Sequence, residues 1–265
     1  MVDFQCKEHY DYEDLLHIMA LLRAPGGCPW DREQDHASIR RNFLEETCEA
    51  VEAIDRGDMS ALCEELGDVM MQVVFHARIE EEQGGFTMAD VIDGVCKKLV
   101  YRHPHVFGTV QADTSDQVLA NWEVLKRREK GQRSTADAIE SVPHTLPALW
   151  RAEKLQSKTA KAGFTYENAL DALEKLEEEV GELRRALESG APADAPHGVK
   201  EEAGDVLFIA SNVARMAGVE GEEALHCACD KFVSRFRQVE QQAQQPLNAC
   251  SRDQLLALWE NTKES

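Results

Sequence analysis

Long proline-free tracts are the feature of this sequence that most limits the fold it can adopt. Proline is absent from Trp30 to His103, from Ala148 to Ala191 and from His197 to Gln245. Proline breaks helix interiors more strongly than any other residue, so these tracts are free to form long helices. Within them, apolar residues recur three and four positions apart, which predicts amphipathic helices packed in bundles and an all-α fold class. One such series is Leu44, Cys48, Val51 and Ile54.

Turn-forming residues interrupt these tracts and divide the chain. The interruptions lie at Asp55–Ser60, Glu82–Thr87, Arg102–Asp116 and Ser189–Gly198. Each is rich in Gly, Pro, Asp or Ser, the residues that favour turns. A polar, proline-bearing stretch from Lys130 to Pro147 is typical of a joint between domains. We therefore predict a first helical domain at residues 1–129, a linker at 130–147 and a second helical domain at 148–265.

Charge and composition exclude several classes of function. The 265 residues carry a formal net charge of −20, and 43% of them are hydrophobic, which is enough for a substantial core. A strongly acidic chain lacks the positive surface needed to bind a nucleic-acid polymer or an anionic membrane. No apolar run approaches the length of a membrane span, and the first residues lack the basic-then-apolar order of a secretory signal. We expect a cytoplasmic protein whose eight scattered cysteines are reduced thiols.

An acidic phrase occurs twice and marks an internal repeat. The stretch EELGDVMMQVVF begins at Glu64, and EEAGDVLFIASN begins at Glu201. Further pairs occur in the same order: LEETCEAV with LEEEVGEL, KKLVYRHPHVF with DKFVSRFRQVE, and NWEVLK with LWENTK. Ordered matches of this kind indicate a tandem duplication of one helical unit. The proline-rich turn that precedes the acidic phrase is longer in the second copy than the corresponding turn in the first.

The repeated unit preserves pairs of carboxylates at helical spacing. Residues three apart lie on one face of a helix, so Glu46 pairs with Glu49, and Glu65 pairs with Asp68. The second copy repeats the pattern with Glu179, Glu182, Glu202 and Asp205. Two such helices facing each other make an oxygen-only site that favours Mg²⁺, with Mn²⁺ as a substitute, and that also accepts nucleotide phosphates. The alternative is a solvated acidic helix face, since 49 of the residues are Asp or Glu.

Basic pairs at helical spacing supply the opposite charge. Lys98 and Arg102 in the first copy lie four positions apart, as do Lys231 and Arg235 in the second. Such pairs can clamp the phosphate oxygens that a metal ion leaves exposed. The alternative is that they complement helix dipoles or form surface salt bridges.

A tryptophan and a lysine end each copy, Trp122 with Lys126 and Trp259 with Lys263. A tryptophan in a helical bundle is typical of a core anchor, and the alternative is a platform for a nucleotide base. We include Trp259 and Lys263 among the candidate substrate-binding residues.

Several ordered motifs on both sides of the duplication carry a family resemblance. They are GGCPWDREQ, NFLEETCEAVEAI, CEELGDVMMQVVFHA, YRHPHVFG, NWEVLK and SVPHTLPALWRAEKLQSKTAKAGF, followed by the second acidic set. From about Leu15 to Lys263 the chain resembles the two-domain bacterial MazG nucleoside triphosphate pyrophosphohydrolases. The resemblance implies tandem four-helix-bundle-like units of the all-α NTP pyrophosphohydrolase type, completed by homodimerisation. It also implies Mg²⁺-dependent hydrolysis of (d)NTP to the monophosphate plus pyrophosphate.

The acidic motif of this family, E-E-x-x-E followed by E-x-x-D, falls on both copies. In the first copy it falls on Glu45, Glu46, Glu49, Glu65 and Asp68, and in the second on Glu178, Glu179, Glu182, Glu202 and Asp205. Our hypothesis is that Glu178 orients or deprotonates the attacking water beside the metal ligands of the second copy. Released pyrophosphate is then stabilised by Lys231 and Arg235, together with Lys158 or Lys161 of SKTAKAGF.

Other functions stay open for the first copy and for the whole chain. The first copy has RAPGGCPWD where the second has the lysines of SKTAKAGF, which weakens the case for catalysis there and leaves a regulatory nucleotide site or a scaffold. The alternative for the whole chain is a metal-dependent nucleotide sensor or helical adaptor that binds NTP without hydrolysing it. A ferritin-type redox bundle fits poorly, since His226 forms only one Glu-x-x-His motif where two are needed.

Overall fold

Two compact helical units make up the protein. The computed structural model describes residues 4–190 and 192–263. In this described part the regular elements are α-helices and one short 3₁₀-helix, without a β-strand. The chain divides into the units Met1–Lys126 and Arg127–Ser265. The prediction of an all-α chain built from tandem units is therefore confirmed.

The domain limits drawn from the sequence, 1–129 and 148–265 around a linker, stay a prediction. Their outermost residues, 1–3, 264 and 265, lie outside the described residues, as does Ala191 in the predicted turn Ser189–Gly198.

Each unit contains a long helical hairpin with further helices packed around it. The helices that begin in the first unit are α1 (Tyr12–Arg23), α2 (Pro29–Glu33), α3 (Arg40–Arg56), α4 (Met59–Glu82), α5 (Met88–Arg102), α6 (Pro104–Phe107) and α7 (Ser115–Glu129). The second unit contains α8 (Thr135–Glu140), α9 (Ala148–Ala160), α10 (Ala169–Ser189), α11 (Val199–Met216), α12 (Gly221–Gln242), the 3₁₀-helix (Leu247–Ala249) and α13 (Arg252–Asn261).

A two-residue turn folds α3 back onto α4. Gly57 ends α3 in the left-handed conformation, with φ of 67°, which glycine adopts without steric cost. Asp58 then caps α4, because its side chain accepts hydrogen bonds from the backbone N–H groups of Ser60 and Ala61, both at 3.1 Å. The tight turn makes α3 and α4 an antiparallel pair. Residues of α3 that lie close to the turn therefore face residues of α4 that lie close to it.

The corresponding turn of the second unit is longer. Gly190 ends α10 with φ of 64°, and α11 begins only after Gly198. His197, just before this cap, is the one non-glycine residue of the described chain with a positive φ, 54°. The pair α10 and α11 therefore repeats the hairpin of α3 and α4 with an added loop.

The core of the first unit lies between α1 and α4. Its buried side chains are Met19, Ile39, Val74, Phe75 and Ile79. Arg23 closes one end of this core: its guanidinium lies 5.2 Å from the centre of the Phe75 ring and 3.0 Å from the carboxylate of Glu82. In the second unit α9 packs on α11 in the same way, and the Gln156 side-chain amide donates to the Phe208 carbonyl at 2.7 Å.

Large apolar side chains remain exposed on the hairpin helices. In α3 it is Ala50 and Ala53 that are buried, whereas Leu44 and Ile54 are 61% and 55% exposed. The apolar series noted in the sequence thus lies largely outside the core of the single chain, because small alanines form the face of α3 that is buried. No helix in the described residues is both long and apolar enough to cross a membrane.

Candidate metal and nucleotide sites

Three carboxylates meet across the first hairpin. Glu46 and Glu49 on α3 and Glu65 on α4 each offer an oxygen atom, and these oxygens lie within 4.8 Å of one another. The E-x-x-E spacing sets the two α3 residues on one face, and the hairpin brings Glu65 against them. Asp68, the fourth predicted ligand, lies one turn further along α4, outside this group but close enough to influence it.

Burial, together with crowding of like charges, makes the first group costly to ionise. Burial raises the pKa of Glu46, followed by repulsion from Asp68 and Glu49, while a hydrogen bond with Gln72 acts in the opposite direction. Burial likewise raises the pKa of Glu65, followed by repulsion from Glu49 and Asp68. A bound cation would remove this cost, because it supplies the missing opposite charge.

A corresponding group forms in the second hairpin. Glu179 on α10 and Glu202 and Asp205 on α11 offer oxygens within 4.8 Å of one another. Glu179 and Glu202 are almost completely buried, at 7% and 4% exposure, whereas Asp205 is exposed. Buried carboxylates require a counter-charge or hydrogen bonds, so the surroundings of Glu179 matter.

Lys175 provides that counter-charge. Its ammonium lies 2.9 Å from Glu179 and 3.1 Å from Glu178. The hydrogen bond to Glu179, and then the one to Glu178, raises the pKa of Lys175 well above its usual range. Sequence reasoning missed this residue, although its position one helical turn before Glu179 was a visible signal. In the first unit Asn42 occupies the corresponding position in the repeat, so Glu46 has no cation there.

Glu182, the fourth predicted ligand of the second set, lies outside the group of three. Its carboxylate accepts a hydrogen bond from Arg185 at 3.1 Å. Both side chains line a cavity of about 370 Å³, together with Glu202 and His197. Glu202 therefore belongs both to the acidic group and to this cavity.

The predicted cations lie on the helices that flank the hairpins. Lys231 and Arg235 are one turn apart on α12, a helix that packs against α9 and α11. Lys158 lies in the last turn of α9 and Lys161 at its carboxyl-terminal cap. In the first unit Lys98 and Arg102 occupy α5.

The two matched tryptophans have different partners. Trp122 has two cations close to its ring, with Arg102 at 5.2 Å and Lys126 at 4.7 Å from the ring centre. Trp259 instead packs on Phe232, with ring centres 5.2 Å apart, and Lys263 bonds to Glu260 at 2.7 Å. The substrate-binding roles of these residues stay predictions.

The fold and the two acidic groups define an all-α protein with paired oxygen-ligand sites of the kind that hold metal ions and phosphates. The model of the MazG nucleotide pyrophosphohydrolase domain matches the chain twice, at residues 34–107 and 167–240. The matches cover the hairpins α3–α4 and α10–α11 and thus both acidic groups. The chain belongs to the MazG nucleotide pyrophosphohydrolase family, as its motifs predicted.

Named relatives extend over most of the chain. The nucleoside triphosphate pyrophosphohydrolase of Escherichia coli (strain K12) is 42% identical over 227 residues, which are 85% of this chain and 86% of the relative. The nucleoside triphosphate pyrophosphohydrolase/pyrophosphatase MazG of Thermotoga maritima is 41% identical over 87% of this chain and 86% of its own length. The uncharacterized protein YabN of Bacillus subtilis is 44% identical over 97% of this chain and 52% of its own length.

Proposed function

We propose that this nucleoside triphosphate pyrophosphohydrolase cleaves the bond between the α and β phosphates of (d)NTP with the aid of Mg²⁺, or Mn²⁺ as a substitute. The products are a nucleoside monophosphate and pyrophosphate. The observation that carries the proposal is the carboxylate group of the second hairpin, with its two buried glutamates, inside residues matched by the family model. The relatives named as nucleoside triphosphate pyrophosphohydrolases support the substrate class.

The donor set fits a hard divalent cation. Every member of each group is a carboxylate, which Mg²⁺ prefers over nitrogen or sulfur. Two oxygens bound to one Mg²⁺ lie at most about 4.2 Å apart, twice the usual bond length. Groups already within 4.8 Å need only small side-chain movements to reach that separation. We propose Glu179, Glu182, Glu202 and Asp205 as the residues that hold the ion in the second unit.

Residues of the chain are then proposed to accept the proton of the attacking water and to position the groups that take part in the reaction. When bound, the cation neutralises the α and β phosphates and makes the attacking water more acidic. Glu178 accepts the proton of that water as the new oxygen bond to the α phosphorus forms. The bond to the bridging oxygen breaks, and pyrophosphate leaves with the electron pair. Lys175 holds Glu178 and Glu179 on the same side of α10, which keeps this base beside the ligands.

Four cations neutralise the leaving pyrophosphate in this proposal. Lys231 and Arg235 come from α12, and Lys158 and Lys161 come from the end of α9. Fixed cations aimed at the charge that develops in the transition state lower the barrier most when their positions are set beforehand. Contact between α9 and α12 in the fold supports this arrangement.

The first unit is proposed to bind nucleotide more than to cleave it. Its helix α1 takes the place of α9, since it packs on α4 as α9 packs on α11. The cation at the end of α1 is Arg23, which is occupied by Glu82 and by the backbone carbonyls of Asp31 and Gln34. This end of α1 therefore offers no counterpart to Lys158 and Lys161. Lys98 and Arg102 remain the proposed phosphate contacts there.

Exposed apolar surface supports the proposal of a homodimer. Each hairpin presents large side chains to solvent, including Leu44 and Leu66 in the first unit and Val180 and Leu207 in the second. Large contiguous apolar patches are rare on monomers, so exposed apolar side chains of this size favour an interface. A second copy of the chain would cover these faces and complete a bundle around each hairpin. Light scattering coupled to size exclusion should give twice the chain mass, and a strictly monomeric mass would sink this part of the proposal.

Pyrophosphate release from a panel of ribo- and deoxynucleoside triphosphates tests the function. We expect wild type to release pyrophosphate with Mg²⁺ and Glu202→Gln to lose the activity, because the change removes charge while it keeps shape. Glu65→Gln should retain most of it. The matched control is Glu188→Gln, which neutralises an exposed acid at the end of α10 outside the acidic group.

The outcomes separate the alternatives. If both single variants keep partial activity and the double variant has none, both hairpins are working sites. If wild type binds Mg²⁺ and nucleotide but releases no pyrophosphate from any member of the panel, the sensor or adaptor alternative replaces the hydrolase.

A further inference from the structure

The loop before α11 places an imidazole beside the second acidic group. His197 Nδ1 lies 3.6 Å from a carboxylate oxygen of Glu202 and 4.0 Å from one of Glu201. The backbone N–H of His197 donates to the other oxygen of Glu201 at 2.8 Å. Glu201 thus fixes the backbone of the loop to the first turn of α11, while the ring of His197 stays in reach of Glu202.

The separation of His197 and Glu202 suits two ligands of one ion better than a direct contact. A hydrogen-bonded imidazolium and carboxylate approach to about 2.7–2.9 Å. Two donors each about 2.1 Å from a shared octahedral ion lie about 3.0 Å apart when adjacent and about 4.2 Å apart when opposite. The observed 3.6 Å is too long for a hydrogen bond. A side-chain movement of about 0.6 Å would bring the two atoms to the separation of adjacent ligands.

The immediate surroundings also favour a cation at this point. Glu202 is 5% exposed at its side chain, whereas His197 is 86% exposed and free to turn. His197, Glu202 and Glu182 line the same cavity, and Glu202 also belongs to the group with Glu179 and Asp205. An ion held by Glu202 would therefore lie where the imidazole can reach it.

The hairpin turn of the first unit, which lies wholly within the described residues, has no equivalent of this nitrogen donor. Its hairpin turn consists of Gly57 and Asp58, and the Asp58 side chain is used to cap α4. The carboxylate group of Glu46, Glu49 and Glu65 therefore offers oxygen ligands alone. The two halves of the chain differ in the chemistry of their donors, although their acidic motifs match.

We propose that His197 supplies a nitrogen ligand to the divalent ion held at Glu202, so that the second unit prefers a first-row transition ion such as Mn²⁺ over Mg²⁺. Imidazole suits such ions and adds little for Mg²⁺, which takes oxygen ligands. The first unit, with oxygen ligands only, shows no such preference. This inference rests on the proposed metal-dependent function, in which either Mg²⁺ or Mn²⁺ serves. It refines that proposal, because it makes Mn²⁺ the ion that the second unit binds more tightly.

Electron spin echo spectroscopy of the full chain loaded with Mn²⁺ tests the ligand directly. Wild type should show nitrogen-14 modulation from a bound imidazole, and His197→Asn should lose it. Asparagine tolerates the left-handed backbone of this position, so the loop keeps its shape. The control is His226→Asn, which removes an exposed histidine that lies 3.9 Å from Glu222; it should leave the modulation unchanged.

Binding measurements give the size of the effect. We expect His197→Asn to weaken Mn²⁺ binding at the second unit about tenfold. The decrease of the free Mn²⁺ resonance during a titration measures this binding. Mg²⁺ affinity, measured by competition, should change less than about twofold. Equal changes for the two ions would overturn the preference.

The spectroscopic experiment tests the ligand role of His197, and the activity assay tests the hydrolase function independently of it. Bound Mn²⁺ without nitrogen-14 modulation in wild type overturns the role of His197 and leaves pyrophosphate release as the test of the hydrolase. Modulation in a protein that releases no pyrophosphate keeps the ligand and removes the proposed function.

Discussion

The two acidic groups share their carboxylates but differ in what surrounds them. In the second hairpin Lys175 lies 2.9 Å from the buried Glu179. Glu46 of the first hairpin is instead hydrogen-bonded to the neutral Gln72 and has Asn42 in the place of the lysine. The shared motif thus determines which carboxylate oxygens can bind an ion. Neighbouring residues determine how the negative charge of those carboxylates is compensated when no ion is bound.

The largest expected effect concerns the lysines at the end of α9. Replacing both Lys158 and Lys161 with alanine should lower kcat/KM for pyrophosphate release about 100-fold, because the transition state loses two fixed cations. Lys154→Ala, on an exposed position of the same helix, should leave activity close to wild type. Retention of more than half the activity by the double variant would mean that these lysines do not distinguish the second unit from the first.

The next effect concerns the ion pair inside the second group. Lys175→Met should lower the Tm of the metal-free second unit by about 5 °C, since Glu179 is left buried without its partner. Calorimetry in the presence of a chelator measures this, and added Mg²⁺ should restore most of the loss. Lys200→Met serves as the control, because Lys200 forms an exposed ion pair with Asp194 at 2.8 Å. Equal shifts for both variants would show that Lys175 is an ordinary surface cation.

Asn42→Lys should give Glu46 of the first unit a cationic partner like the one that Lys175 provides for Glu179 in the second. The pKa of Glu46 is raised in the folded protein, so its contribution to stability is present below the unfolded pKa and is lost as pH rises through the folded pKa. A lysine one turn away should lower that pKa and raise the metal-free Tm at pH 7 by about 2 °C. Unfolding between pH 4.5 and 7 measures the change. No difference in slope from wild type would show that Glu46 and a lysine at position 42 do not meet.

The smallest effect concerns a histidine pair in the first unit, which has no counterpart among the described residues of the second. His36 Nδ1 lies 2.7 Å from His76 Nδ1, and its other nitrogen lies 2.8 Å from Glu80. Burial, followed by the charge of His36, lowers the pKa of His76. Stability from His76 is therefore present above the unfolded pKa and is lost as pH falls through the folded pKa.

Replacing this histidine tests that pH dependence. His76→Phe keeps an aromatic ring beside Phe43. The Tm of the first unit falls as the pH is lowered from 7.5 to 5, and the variant should make this fall smaller by no more than about 2 °C. Thermal unfolding at pH 7.5 and pH 5 gives the comparison, with His226→Asn as a surface control. An unchanged acid loss in His76→Phe would assign the effect to other groups.

Much of this fold follows from local sequence rules. Proline-free tracts predicted the helices, and Gly57, Asp58 and Gly190 ended or began helices inside predicted breaks. The acidic spacing predicted which carboxylates share a helix face, and three of each four meet in the structure. These features depend on helical geometry, which is the same in every protein.

The remaining features depend on tertiary structure. The partners of Lys175 were missed because charged residues at helical spacing are common on any acidic helix, and only burial of Glu179 makes this pair distinctive. Burial of Ala50 and Ala53 in place of Leu44 depends on which side of α3 its neighbours occupy. The approach of His197 to Glu202 depends on the path of a loop, for which spacing along the chain is no guide.

The unequal turns of the two hairpins predict unequal tolerance to insertion and deletion. Between α3 and α4 there are only Gly57 and Asp58, so one added residue would rotate α4 against α3 and separate Glu65 from Glu46 and Glu49. Residues 192–198 can absorb a change of length before it reaches Glu202, because loop closure costs little more as a loop grows. Descendants of this gene should therefore vary in length at the second turn and keep the first unchanged, and new segments are best inserted at the second.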